Sequence, residues 1–252
     1  MKYSYMTIPV KTAHSLFALL GNMYYNVASK TVGVREDLEG SSRGRCVMSK
    51  PIPVEYGSYY HIFSRGIDRC PVFFEERNYP FFLQKYAYYV EPIADTYAFC
   101  LLGNHFHTLV RIRTVEEQES WFTLNQLPGS FQPKNPSQQI GNLLNSYAKS
   151  VNKAYERTGS LFQHPFGRIE VTTETYLRNL VTYIHQNPQR HGLVADFRLW
   201  PHSSYDILRT DRQTQLKRDD VLTWFTNRQV FEEAHILLIQ DEVLAPLVLD
   251  DF

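Results

Sequence analysis

Cysteine is scarce in this chain. Cys46, Cys70 and Cys100 lie far apart and make no CxxC pair. That spacing argues against a disulfide scaffold, and an odd number of cysteines fits a reduced, cytoplasmic protein. Long apolar runs are also missing. No stretch approaches the roughly 20 residues that span a bilayer, so no membrane partner is expected. The segment from Ala13 to Leu20 is broken by His14 and Ser15, which makes it a poor signal-peptide core. Net charge is absent as well, because 26 basic side chains offset 26 acidic ones over 252 residues. Such a balance excludes a polycation that coats nucleic acid without selectivity. There is no internal repeat and no low-complexity run.

Charge is nevertheless spread unevenly. Residues 1–47 carry six basic and three acidic side chains, whereas residues 209–252 carry five and nine. Residues 130–200 carry eight basic and four acidic, with His164, His185 and His191 besides. A modest basic region of this kind can face phosphates, although a solvated mixed-charge surface has the same composition. Three parts are expected. Residues 1–47 form an N-terminal extension that ends in the polar stretch Gly40-Ser41-Ser42-Arg43-Gly44, with Met48 as a candidate native start. Residues 48–208 form the main domain, and residues 209–252 form a helical C-terminal appendage.

The main domain has a readable period. Tyr59 to Ser64 is β-prone and is closed by Arg65-Gly66. Glu75 to Val90 has helical spacing, with Pro80 better suited to a first turn and hence a start near Asn78. Thr96 to Leu102 is a second strand, Gly103-Asn104 a two-residue turn, and His105 to Ile112 a third, antiparallel strand. Residues 113–136 hold Leu127-Pro128-Gly129 and Pro133 to Pro136, and are expected as a loop or insertion. Ser137 to Arg157 carries Ile140, Leu143, Leu144, Tyr147 and Val151 on one helical stripe, and Thr158-Gly159 ends it. Leu161 to Val171 is extended. A further helix runs from near Thr173 to Gln186, where Asn187-Pro188 stops it. In the tail, Asp219-Asp220 caps a helix through Trp224-Phe225, and Phe231 to Gln240 forms another.

The order β-α-β-β-α-β predicts an α+β fold of the ferredoxin-like split βαβ type. An antiparallel sheet carries two helices on one face. The helix containing Tyr183 is free to pack on the other face, and a helical tail follows.

Two segments carry chemistry. In His105-Phe106-His107, strand alternation points both imidazoles one way and Phe106 the other. Two imidazoles on a rigid strand make half of a metal site, although surface histidines are common. In Tyr183-Ile184-His185-Gln186-Asn187, positions four apart share a helix face. Asn187 can then supply an amide oxygen beside two neutral imidazoles. A tyrosine hydroxyl near a bound phosphodiester can attack phosphorus. The competing view is plain packing, since the chain has 17 tyrosines.

Five ordered motifs extend the pattern. They are Tyr60-His61-Ile62-Phe63-Ser64-Arg65-Gly66, Leu102-Gly103-Asn104-His105-Phe106-His107-Thr108-Leu109-Val110 and Arg157-Thr158-Gly159-Ser160-Leu161-Phe162-Gln163. Tyr183-Ile184-His185-Gln186-Asn187-Pro188 follows with Gly192-Leu193-Val194, and Trp200-Pro201-His202-Ser203-Ser204-Tyr205 comes last. On these residues the chain resembles the REP-associated tyrosine transposases of the HUH single-tyrosine superfamily. The likeness spans roughly Tyr59 to Tyr205. It implies that His105 and His107 bind a divalent metal, Mg2+ or Mn2+, with Asn187 completing the set and Tyr183 as nucleophile. It also implies metal-dependent cleavage and rejoining of single-stranded DNA at hairpin-forming repeats through a 5′-phosphotyrosine. The alternative is a domesticated hairpin DNA-binding protein that no longer cuts. A metal-dependent hydrolase unrelated to nucleic acid is the third reading.

On ligand type, imidazoles favour manganese over magnesium. Zinc lacks a cysteine or a third histidine placed to close a tetrahedral site. Arg65, Lys149, Lys153, Arg157, Arg168 and Arg178 are the candidate phosphate contacts. Tyr60, Phe63, Phe162 and Phe166 are candidates to stack on bases or to fill the core. Relatives often read Gly-Arg-Phe-Lys where this chain has His164-Pro165-Phe166-Gly167-Arg168, so one basic contact is moved or lost. Monomer and homodimer remain open.

Overall fold

The computed structural model describes residues 53–236 and 238–239. The expected extension over residues 1–47, its junction at Met48, and the end of the second tail helix at Gln240 lie outside the described residues. Four strands carry the main domain: β1 (Tyr59–Arg65), β2 (Ala94–Leu101), β3 (His105–Ile112) and β4 (Gly167–Val171). Helix α1 (Asn78–Val90) connects β1 to β2, and α2 (Val115–Leu124) and α3 (Pro136–Ala154) lie between β3 and β4. Helix α4 (Glu174–Arg190) follows, then α5 (Tyr205–Arg209), α6 (Arg218–Trp224) and α7 (Arg228–Ala234).

The sheet order is β2-β3-β1-β4, and all three pairings are antiparallel. Strand β3 thus splits the β1-α1-β2 unit, which is the expected ferredoxin-like topology. Local chemistry explains the elements. Leu102 N–H donates to the His105 carbonyl at 2.8 Å, closing the Gly103-Asn104 hairpin. Pro80 sits in the first turn of α1, where a missing N–H costs nothing. Asn135 caps α3 by accepting from Gln138 N–H, with Pro136 at its first position. Thr173 caps α4 in the same way through Tyr176 N–H.

Several boundaries differ from expectation. Residues 113–136 are not all loop, because α2 occupies Val115–Leu124. Thr114 and Glu117 form a reciprocal capping box at its start. Gln118 is its one buried residue, so no apolar stripe announces it. Helix α3 stops at Ala154, three residues early, and Glu156 adopts a left-handed φ of 52°. Of the extended stretch from Leu161, only Gly167–Val171 is strand. Helix α4 runs through Asn187-Pro188 to Arg190 rather than ending there. Residues 180–188 are buried, and this packing outweighs the local preference against proline. In the tail, Lys217 rather than Asp219-Asp220 stands at the cap of α6, and Asn227 caps α7 three residues before its expected start.

The two sheet faces are covered differently. Phe106 points to α1 and α3, with its ring 5.0 Å from Phe82, which lies 5.1 Å from Tyr147. The Tyr147 hydroxyl donates to the Val72 carbonyl at 2.9 Å, so this layer leaves that polar group satisfied. The opposite face is covered by α4. The tail packs onto the domain: Trp224 stacks on Tyr97 at 4.9 Å, and Phe231 and His235 are buried. Trp200 donates to the Leu101 carbonyl at 2.9 Å, and Tyr205 is buried beside His185, so both pin the segment after α4 as expected. Among the described residues, no helix is long and apolar enough to cross a membrane.

Candidate active site

The face under α4 is built from alternate strand residues. Arg65 pairs with His105, Phe63 with His107 and His61 with Leu109 across β1 and β3. Antiparallel partners share a face. His61, Phe63 and Arg65 therefore join His105 and His107 on one surface, while Phe106 is buried on the other. Helix α4 lays Tyr183, Asn187 and His191 over this surface, spaced by four. The Tyr183 ring stands edge-on to His107, with centroids 5.7 Å apart. His105 and His107 are themselves edge-on at 5.0 Å.

All four expected residues are buried. His105, His107, Tyr183 and Asn187 expose 5%, 2%, 1% and 0% of their surface. Yet His105 Nε2, His107 Nε2, the Tyr183 hydroxyl and Asn187 Oδ1 have no hydrogen-bond partner. Buried polar atoms are rarely orphaned, because each costs about 1–3 kcal/mol. Four gathered on one surface make it a candidate site for a shared partner.

The surrounding bonds define what that partner must be. The Asn104 amide nitrogen donates to the Arg69 carbonyl at 3.2 Å, which turns its oxygen toward His105 Nδ1 at 2.6 Å. His105 must donate there, so its Nε2 bears a lone pair. The Asn187 amide nitrogen donates to the Tyr183 carbonyl at 3.0 Å, which leaves Oδ1 as a bare acceptor. Burial, followed by His191 and Arg65, lowers the His105 pKa to about 3. Burial also pushes His107 well below its ordinary value, helped by His105 and His61. Neutral imidazoles are what a cation requires. The donor set of two imidazole nitrogens and an amide oxygen fits a divalent metal. Among the described residues, no group of three or more His, Cys, Asp or Glu side chains could hold one, so the amide oxygen is the third protein donor that this face offers.

Two histidines were missed from the sequence. His61 Nε2 lies 2.9 Å from His107 Nδ1, buried beside it. His191 brings its ring within 4.9 Å of His105, edge-on. Both rings adjoin the pair, yet among the described residues no third histidine is placed with them to hold a metal, in keeping with the sequence reading. The parity of β1 against β3 was the available signal for His61, and the four-residue spacing from Asn187 was the signal for His191.

Of the six expected phosphate contacts, Arg65 alone is brought to this face. Lys149 and Lys153 are exposed on α3, on the far side of the sheet. Arg157 lies over the Phe74 ring at 5.5 Å, and Arg168 over Phe166 at 4.2 Å. Arg178 donates to the Trp224 carbonyl at 3.4 Å. Arg190, not expected, lies over the Tyr183 ring at 5.6 Å. Among the aromatic candidates, Tyr60, Phe162 and Phe166 are core residues. Phe63 is half-buried and flanks His107, with ring centroids 6.0 Å apart. Gly167 makes room for it, since a Cβ there would lie 2.2 Å from the Phe63 ring.

No family model matches the chain. A Haemophilus influenzae protein provisionally named a REP-associated tyrosine transposase is 26% identical over 111 residues, 44% of this chain. The match spans 58% of that relative's length. A solved structure of a REP-associated tyrosine transposase bound to a REP hairpin aligns over 64% of this chain and 84% of that one. Its TM-score is 0.48 at 15% identity. In its ordered motifs and over this partial match, the chain is similar to the REP-associated tyrosine transposases.

Proposed function

We propose that the chain is a metal-dependent, single-tyrosine transferase that cuts and rejoins single-stranded DNA at hairpin-forming repeats. The observation that carries this reading is the set of four orphaned polar atoms on one buried face. His105, His107 and Asn187 would hold Mg2+ or Mn2+. When bound, the ion would polarise a phosphodiester oxygen as a Lewis acid. Tyr183 supplies the attacking oxygen. Its bond to phosphorus forms as the bond to the 3′ oxygen breaks, giving a 5′-phosphotyrosine and a free 3′-hydroxyl. The tyrosine proton is lost to solvent, and the leaving oxygen takes one up. The rejoining step runs in reverse and needs no external energy, because the phosphotyrosine retains a phosphodiester.

Arg65 places a positive charge beside His105, and Arg190 places one over the Tyr183 ring. Both are suited to the charge that gathers on phosphorus oxygens. Phe63 offers a ring at the site for a neighbouring base. The test is incubation with end-labelled hairpin oligonucleotides and Mn2+, followed by denaturing electrophoresis and peptide mapping. A labelled adduct on the Tyr183 peptide is expected. Tight hairpin binding with no adduct would instead favour the non-cleaving binder.

A further inference from the structure

We propose that His61 is a positioning residue for the metal site: it accepts the Nδ1 hydrogen of His107 and so presents the bare Nε2 of His107 to the ion. The inference rests on the metal-site reading above. Its structural basis is the buried 2.9 Å contact between His61 Nε2 and His107 Nδ1. The rings lie 5.1 Å apart and nearly parallel, at 23°.

A single hydrogen occupies that contact when both rings are neutral, and it can belong to either histidine. Were it on His61, His107 would carry its own hydrogen on Nε2. That N–H would be a donor on a surface where the Asn187 oxygen is a bare acceptor and the Tyr183 hydroxyl accepts as readily as it donates. Yet His107 Nε2 makes no hydrogen bond to either. With the hydrogen on His107 Nδ1, its Nε2 is a lone pair. His105 Nε2 and Asn187 Oδ1 are bare for the reasons given. The surface then presents three acceptors together, an arrangement suited to a cation. Asn104 does for His105 what His61 does for His107, so each ligand has its own acceptor behind it. His61 reaches this place because β1 runs beside β3 in register, two residues from the position opposite His107.

The experiment uses metal-free protein labelled with 15N-histidine, with His107 resonances identified by their loss in His107→Ala. Long-range proton–nitrogen spectra report which ring nitrogen carries hydrogen. Wild type should show the Nδ1–H form of His107. His61→Gln, whose side-chain oxygen can accept from Nδ1, should keep it. His61→Leu should lose the single tautomer. Mn2+ binding, read by electron paramagnetic resonance, should weaken about tenfold or more in His61→Leu and stay within about threefold in His61→Gln. An Nε2–H form in wild type would overturn the proposal, even if His61→Leu fails to fold. So would Mn2+ affinity unchanged in a folded His61→Leu. Failure of wild type to bind Mn2+ at all would sink the metal reading itself, while the tautomer would still report on His61.

Discussion

Strands β1 and β3 put alternate residues of the same few motifs on two faces, and the two faces follow opposite rules. Toward α1 and α3, Phe106, Phe82 and Tyr147 interlock, and the Tyr147 hydroxyl is satisfied. Toward α4, His61, His105, His107, Tyr183 and Asn187 are just as buried, but four of their polar atoms lack partners. The first face also holds orphaned atoms, Ser64 Oγ opposite Phe106 among them, but they are scattered through a mainly apolar layer. The other gathers four orphaned atoms at one place, where the proposed metal would bind. Removing atoms should therefore have opposite consequences on the two sides, stability on one and chemistry on the other.

The largest expected effect is on chemistry. Tyr183→Phe should abolish the covalent adduct while hairpin affinity stays within a few-fold, measured by gel shift. An adduct surviving in the variant would move the nucleophile elsewhere. His105→Ala and His107→Ala should each remove metal-dependent cleavage, with the double substitution adding little, because groups acting as a unit lose function together. Full cleavage by the double variant would break the metal assignment.

Next comes stability on the packed face. Phe106→Ala should destabilise by about 3–5 kcal/mol in urea titration, as a cavity opens among Phe82, Tyr147 and Phe162. Tyr183→Phe, also at a fully buried ring, should cost nothing and is the direct comparison: deleting an orphaned hydroxyl relieves a penalty of about 1–3 kcal/mol. If the two substitutions destabilised alike, the contrast between the faces would fail. Asn187→Ala should reduce cleavage by about tenfold at most, since water can replace a neutral amide oxygen.

The smallest effect concerns pH. Burial lowers the His235 pKa from 6.5 to about 4, and holds its partner His185 well below its ordinary value. The unfolded chain therefore takes up protons first as pH falls. Stability from these two groups is full above about 6.5 and declines as pH falls toward 4. Glu91 runs the other way, because burial raises its pKa from 4.5 to about 7, so its contribution is lost as pH rises through that range. Melting temperature measured between pH 4 and 7 should fall less steeply toward acid in His235→Gln than in wild type. Parallel curves would show that His235 is not held neutral.

Much of this contrast is legible in the amino-acid order. Strand parity alone puts His105 and His107 on one face and Phe106 on the other. Helical spacing joins Tyr183 to Asn187. The residues that escaped need tertiary information. His61 is found only once β1 is paired with β3, and His191 only once α4 is seen to continue past Pro188. Charge was the least informative signal. Lys149 and Lys153 belong to a basic stretch, but α3 carries them to the far side of the sheet from the candidate site. Helix α2 escaped because a half-exposed helix that buries only Gln118 shows no apolar stripe, although Thr114 and Glu117 had the spacing of a capping box.

The most direct test of the proposed metal site is equilibrium Mn2+ binding to the full chain, read by electron paramagnetic resonance without DNA. Wild type should take up one ion per chain, and the His105→Ala, His107→Ala double variant should take up none at the same concentration. Equal uptake by both proteins would contradict the account.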